Sequence, residues 1–242
     1  MKFSDTAPAN AICAEGIKSQ PQKTAFDLQD QRISNEGLSA FRTHNNVTWL
    51  NLRENGKVTD AGMTYLKHLP LETLDLTLTG ITSSALKKLP LSQMRTLSLG
   101  WTDVDDAAIP ALDRAKNLKT LILEGTKIEG TTLGRLQHLK NLQNLNLNST
   151  KVTHAAIQQL GTLKLQELDL DNTAINNQDL KLLVHKPLQI LSIRGTAVSN
   201  DGLVQLQGMS SLKQVYLKDC AGISREGTAK LKREHPGLLV VH

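Results

Sequence analysis

One frame, LxxLxL, recurs along this chain at a nearly constant step, and that period constrains the fold more than any other feature. Full copies are Leu71-Leu74-Leu76, Leu118-Leu121-Leu123, Leu142-Leu145-Leu147, Leu165-Leu168-Leu170 and Leu188-Leu191-Ile193. Conservative copies are Val47-Leu50-Leu52, Met94-Leu97-Leu99 and Leu212-Val215-Leu217, with a degenerate first copy at Phe26 and Leu28. The middle residues fall at 26, 50, 74, 97, 121, 145, 168, 191 and 215, so every step is 23 or 24 residues. Such a period marks a stack of small units, none of which can bury its apolar face alone.

Each repeat has a second half in register with the first. Three residues after the last strand residue comes a small polar one: Asn55, Thr79, Thr102, Thr126, Thr150, Thr173, Thr196 and then Cys220. Ile or Val follows two or three residues later, as at Val58, Ile81, Val104 and Ile128. The next position holds a residue suited to capping a helix N-terminus: Ser34, Thr59, Thr82, Asp105, Thr153, Asn176, Ser199 and Ser224, with Glu129 as the exception. Apolar residues then fall at helical spacing, for example Ala85, Leu86 and Leu89, or Ile157 and Leu160. Each unit is therefore predicted as a short strand, a polar turn and a short helix.

The frame LxxLxLxx(T/C)xx(I/V)(T/S)xxxLxxL covers about 23–242 and resembles the leucine-rich-repeat superfamily, of the ribonuclease-inhibitor-like kind with cysteine-containing-type repeats. Thr, rather than Asn, dominates the turn column, and Cys occurs there only at Cys220, which places the chain nearer bacterial repeat arrays than ubiquitin-ligase receptors. The resemblance implies an α/β solenoid, a right-handed β-α superhelix of about nine repeats, with one parallel sheet on its concave side. An F-box needs some 40 helical residues ahead of the repeats, more than the N-terminal segment supplies. Residues 1–22 are expected to form an N-terminal cap segment, with a helix over Ala7–Ile17 turning Ala9, Ile12, Cys13 and Ile17 inward. Residues 23–242 form the repeat domain. It is expected to close at Pro236-Gly237 and a capping strand over Leu238–Val241.

Composition agrees with this plan. Hydrophobic residues are 39% of the chain but aromatics only 3%, so the core must be built of Leu, Ile, Val and Ala. The net charge of +5 raises nucleic acid as a ligand. No basic run is denser than Lys230, Lys232 and Arg233, and Lys87, Lys88, Arg135 and Lys140 fall on the helix halves, so no nucleic-acid partner is expected. Cys13 and Cys220 share no disulfide or metal spacing. Met1–Asn10 has no apolar signal core, and no apolar run reaches the ~20 residues of a membrane span. The expectation is a soluble monomer that makes no membrane contact. It is cytoplasmic, or exported without a cleaved signal into a host cell.

Function is expected on the outward face of the sheet. Alternate strand residues face opposite sides, so frame positions 3, 5 and 7 point out when the Leu at positions 4 and 6 point in. Position 5 reads Asp27, Asn51, Asp75, Ser98, Ile122, Asn146, Asp169, Ser192 and Tyr216, and position 7 includes Arg53, Glu124, Asp171 and Arg194. Trp49 is outward, and Leu78 and Trp101 occupy position 8, where the strand exits. The candidate partner-binding set is Trp101, Leu78, Ile122, Trp49, Arg53, Asp75, Glu124, Asp169, Asp171, Arg194 and Tyr216. Two readings of Trp101 stand: it shields the turn by lying over Leu78, or it anchors a Trp-Leu-Ile patch for a protein or peptide partner. The histidines share no ligand spacing, and there is no P-loop, GxGxxG or GxSxG, so no catalytic residue, metal or cofactor is expected. The preferred function is a protein-interaction module, a bacterial adaptor or secreted effector. The alternatives are a substrate-receptor subunit of a larger enzyme such as a ubiquitin ligase, and an enzyme with an unrecognised site.

Overall fold

The computed structural model describes residues 6–242. Ten three-residue strands form one sheet: β1 (Ala25–Asp27), β2 (Trp49–Asn51), β3 (Thr73–Asp75), β4 (Thr96–Ser98), β5 (Thr120–Ile122), β6 (Asn144–Asn146), β7 (Glu167–Asp169), β8 (Ile190–Ser192), β9 (Gln214–Tyr216) and β10 (Leu239–Val241). They pair in sequence order, all parallel. The register joins the middle residues of successive frames, Phe26 to Leu50, Leu50 to Leu74, Leu74 to Leu97 and onward to Val215 and Val240. Main-chain bonding continues beyond the named strands, with the Leu76 amide donating to Ser98 and the Leu78 amide to Gly100, each at 2.9 Å. Frame positions 4 and 6 are buried in every repeat except at Leu28, which is half-buried. Each repeat thus hands its apolar face to the next, and one continuous aliphatic core runs the length of the stack.

The threonine column closes the turns, by a more local device than a stack of hydroxyls. Each hydroxyl donates to the carbonyl three residues back: Thr79 to Leu76 (2.6 Å), Thr126 to Leu123 (2.6 Å), Thr173 to Leu170 (2.6 Å) and Thr196 to Ile193 (2.7 Å). The two non-threonine members bridge repeats. Asn55 donates to Leu28 and Leu52 and accepts from the Ile33 amide, and the Cys220 thiol donates to the Ile193 carbonyl.

The outer layer is made of the expected short helical pieces, of two kinds. Its first five repeats use 3₁₀ segments, at Gly37–Thr43, Gly62–Tyr65, Ser83–Lys87, Asp106–Arg114 and Leu133–His138. True α-helices are α1 (Thr6–Lys18) ahead of the sheet, then α2 (His154–Gln159), α3 (Asn177–Leu183), α4 (Asn200–Leu203) and α5 (Arg225–Glu234). Four to nine residues between turns give few bonds to repay an α-helical nucleus, and the tighter coil suits such short pieces. Caps form as expected at Thr82, Asp105, Asn176 and Ser224, whose side chains accept from helix amides. Thr153 and Ser199 make no such bond.

Ser199 is engaged by a second ladder, at the position after each cap. Asn177 accepts from the Ser199 amide (2.9 Å) and donates to its hydroxyl (2.8 Å). Asn35 treats Thr59 the same way, Asn200 treats Ser224, and Asp60 accepts both donors of Thr82. Asn10 of α1 repeats the pattern on Ser34, which joins the helix to the first repeat, and Ile17 of α1 is buried. The side chains of Ala9, Ile12 and Cys13 lie outside the described residues.

Candidate functional site

The inner face of the sheet exposes the residues that alternation assigned to it. Position 3 reads Ala25, Trp49, Thr73, Thr96, Thr120, Asn144, Glu167, Ile190, Gln214 and, on the closing strand, Leu239. Trp49, Leu239 and Val241 are exposed, and Ile122, Asp75, Asp169 and Tyr216 are half-buried. Leu239 and Val241 are outward residues that the frame search missed, because the last strand follows Pro236-Gly237 at a step of 25 rather than 23 or 24.

Position 8 has a backbone property that its two largest apolar occupants do not suggest. Its occupants Asp30, Glu54, Leu78, Trp101, Gly125, Ser149, Asn172, Gly195 and Asp219 all have positive φ. Gly, Asn and Asp accept this left-handed conformation readily, whereas a bulky side chain in it is an outlier. Leu78 (φ 56°) and Trp101 (φ 55°) are those outliers, side by side in successive repeats, and 41% and 49% exposed. The Trp101 side chain also makes a contact that neither reading of it foresaw. The indole covers Gly125 of the following repeat, so that a Cβ there would run into the six-membered ring. Gly125 also has φ 63° and lends its bare backbone to the ring on both counts.

Further along the face the polar residues divide into engaged and open ones. Asp171, only 3% exposed, is not a free docking carboxylate. It accepts from the Ser192 hydroxyl (2.5 Å), the Arg194 amide (2.8 Å) and Arg194 Nε (2.7 Å), with Arg194 Nη2 at 2.6 Å. Arg194 also sits 5.6 Å over the Tyr216 ring. Arg53 is paired with Glu54 at 2.9 Å, and Asp75 accepts from the Thr77 amide at 2.8 Å. Asp169, on the same face, is pushed up to about 7: burial raises it first, then the charges of Glu167 and Asp171, against the opposing pull of Arg194. Glu124 adds to the same repulsion and, with Asn148, Asp171, Arg194 and Lys218, lines a polar hollow at the strand exits.

Counted over positions 3, 5, 7 and 8, nine carboxylates (Asp27, Asp30, Glu54, Asp75, Glu124, Glu167, Asp169, Asp171, Asp219) face three cations (Arg53, Arg194, Lys218). The face and its rim are formally −6 in a chain of +5, so the rest of the molecule carries +11. Among the described residues no group of His, Cys, Asp or Glu is arranged to hold a metal, and no helix is long and apolar enough to cross a membrane.

No protein-family model and no curated protein sequence matches the chain. Solved structures do. Internalin C2 from Listeria monocytogenes is similar at 26% identity and a TM-score of 0.63, covering 100% of this chain and 99% of its own. The internalin inlF from the same species has 15% identity and a TM-score of 0.53 over 100% and 98%. A plant peptide hormone receptor, RGFR1 in complex with RGF2, has 19% identity and a TM-score of 0.51, covering 81% of this chain and 32% of its own. The repeat frame, the ten parallel strands in sequence order and these neighbours agree: the chain is a leucine-rich-repeat solenoid.

Proposed function

We propose that this solenoid is an interaction module that holds a protein or peptide partner on its concave sheet face, with Trp101 and Leu78 as the apolar anchor. The observation that carries the reading is their placement in the left-handed column. A bulky residue there costs on the order of 1–2 kcal/mol, and at 49% and 41% exposure a large part of each side chain is still in solvent, where a partner would gain by covering it. Exposed aromatic anchors in a polar surround are typical interface hot spots. A parallel sheet bare on one face also departs from the usual double covering. The plant receptor supports the reading, since a similar array is found in complex with RGF2. The internalin likeness favours a bacterial adaptor or effector role.

The test is capture of the native partner followed by titration against three variants, with circular dichroism to confirm folding. Trp101→Ala is expected to weaken binding by ~2 kcal/mol or more. Lys87→Ala and Arg135→Ala, on the outer side, are expected to bind as the parent does. The reverse pattern would place the working surface on the convex side.

A further inference from the structure

The inner face has two properties that meet at one place. The first is the apolar anchor. The second is charge: −6 on the face and its rim against +11 elsewhere. They adjoin at Trp101 and Glu124, since the Trp101 amide donates to the Glu124 carbonyl at 2.7 Å. Ile122, two residues before Glu124 on the same strand face, continues the apolar strip toward the sheet centre. Asp171 is already neutralised by Arg194, so the acidity open to a partner beside the anchor lies on Glu124, Glu167 and Asp169. Asp169 lies between the other two and feels the charge of both, Glu167 more than Glu124, and a cation placed beside it relieves that repulsion.

We infer that the partner's docking segment is a basic stretch carrying a large apolar side chain, which seats its knob against Leu78, Trp101 and Ile122 and its lysines or arginines over Glu124, Glu167 and Asp169. This rests on the concave-face reading and adds the chemistry of the occupant. An acidic or purely polar segment does not fit, because it would bring like charge onto a face that is already repulsive. Nucleic acid is disfavoured for the same reason.

The two tryptophans of the chain are Trp49 and Trp101, so a Trp49→Phe protein reports on Trp101 alone by fluorescence. Three short synthetic peptides are titrated into it: one alternating Lys and Leu, one alternating Lys and Ser, one alternating Glu and Leu. The Lys-Leu peptide is expected to change Trp101 emission saturably. Its Kd should be at least tenfold tighter than those of the other two, and weaker at high salt. Neutralising the face with Glu124→Gln, Glu167→Gln and Asp169→Asn together should weaken it at least tenfold. If the triple variant does not fold, Glu124→Gln alone should weaken it severalfold. Equal binding of the Glu-Leu peptide, no saturable change with Lys-Leu, or an unaffected neutralised variant overturns the inference. The failures separate. A captured partner that needs Trp101 but ignores the three neutralisations leaves the concave-face reading standing and removes the basic occupant. One that needs Lys87 or Arg135 instead removes both.

Discussion

At the scale of single residues, two side chains show how the repeat handles polar groups, and both can be tested. Thr126 is buried and its hydroxyl donates to the Leu123 carbonyl where the chain leaves the sheet. Thr126→Val keeps the shape and leaves that carbonyl without its hydroxyl donor. The Thr126 amide still donates to it, so the loss is that of one hydrogen bond, roughly 0.5–1.5 kcal/mol, read as a lower denaturation midpoint. A midpoint equal to the parent's would show that the column does not hold the turns. Asp169 works in the opposite sense. Its pKa of about 7 in the folded chain lies above the ordinary 3.8, so between those values the folded state keeps a proton that the unfolded state has lost. Its contribution to stability is therefore full below the ordinary pKa and is lost as pH rises toward neutrality. Asp169→Asn mimics the protonated form. It should match the parent near pH 4 and exceed it at pH 8 by roughly 1–3 kcal/mol, one pKa unit being ~1.4 kcal/mol and partial exposure screening the remainder. A gap in urea midpoint that does not widen with pH would contradict this.

At the scale of elements, the strands were legible and the outer layer much less so. Period-2 alternation inside a 23–24-residue step identifies the middle residue of nine strands, because the same Leu must be buried in each unit. The outer segments carry no comparable signal: at four to nine residues they are too short for their apolar spacing to separate α from 3₁₀. The left-handed column was legible only in part: Asp30, Gly125, Asn172, Gly195 and Asp219 suit it, whereas Leu78 and Trp101 are the last residues that a positive φ suggests. The asparagine ladder left a trace that could have been read, the recurrent NxG of Asn35-Glu36-Gly37 and Asn200-Asp201-Gly202. Its physical meaning lies between repeats: the carboxamide of Asn200 fills the space where a Cβ on Gly227 of α5 would stand. Gly227→Ala alone is therefore expected to destabilise by ~1–2 kcal/mol, by displacing the carboxamide from Ser224. With Asn200→Ala already present the same change should become neutral or stabilising by up to ~1 kcal/mol, since Ala is the better helix former. Additive effects in this double-mutant cycle would show that the two positions are independent.

The molecule as a whole is long because its core grows in one direction only. Every unit packs on its two neighbours, so adding repeats lengthens the aliphatic core without thickening it. Ten strands at ~4.8 Å spacing span about 43 Å along the sheet. Along that length a solenoid offers a partner contacts from many repeats at once. How far the array curves depends on the outer layer, because strands are fixed at ~4.8 Å while packed α-helices need about 8–10 Å. Slender 3₁₀ segments in the first five repeats should open the arc there, and the α-helices beyond α2 should close it. Small-angle scattering on the monomer reads this directly. A compact domain of this length has a radius of gyration of about 18 Å. The expected value is clearly larger, with a pair-distance distribution skewed into a long tail. A symmetric distribution at about 18 Å, at monomer mass, would mean that the units do not stack into a rod, and the shared inner face on which a partner is expected to lie would not exist.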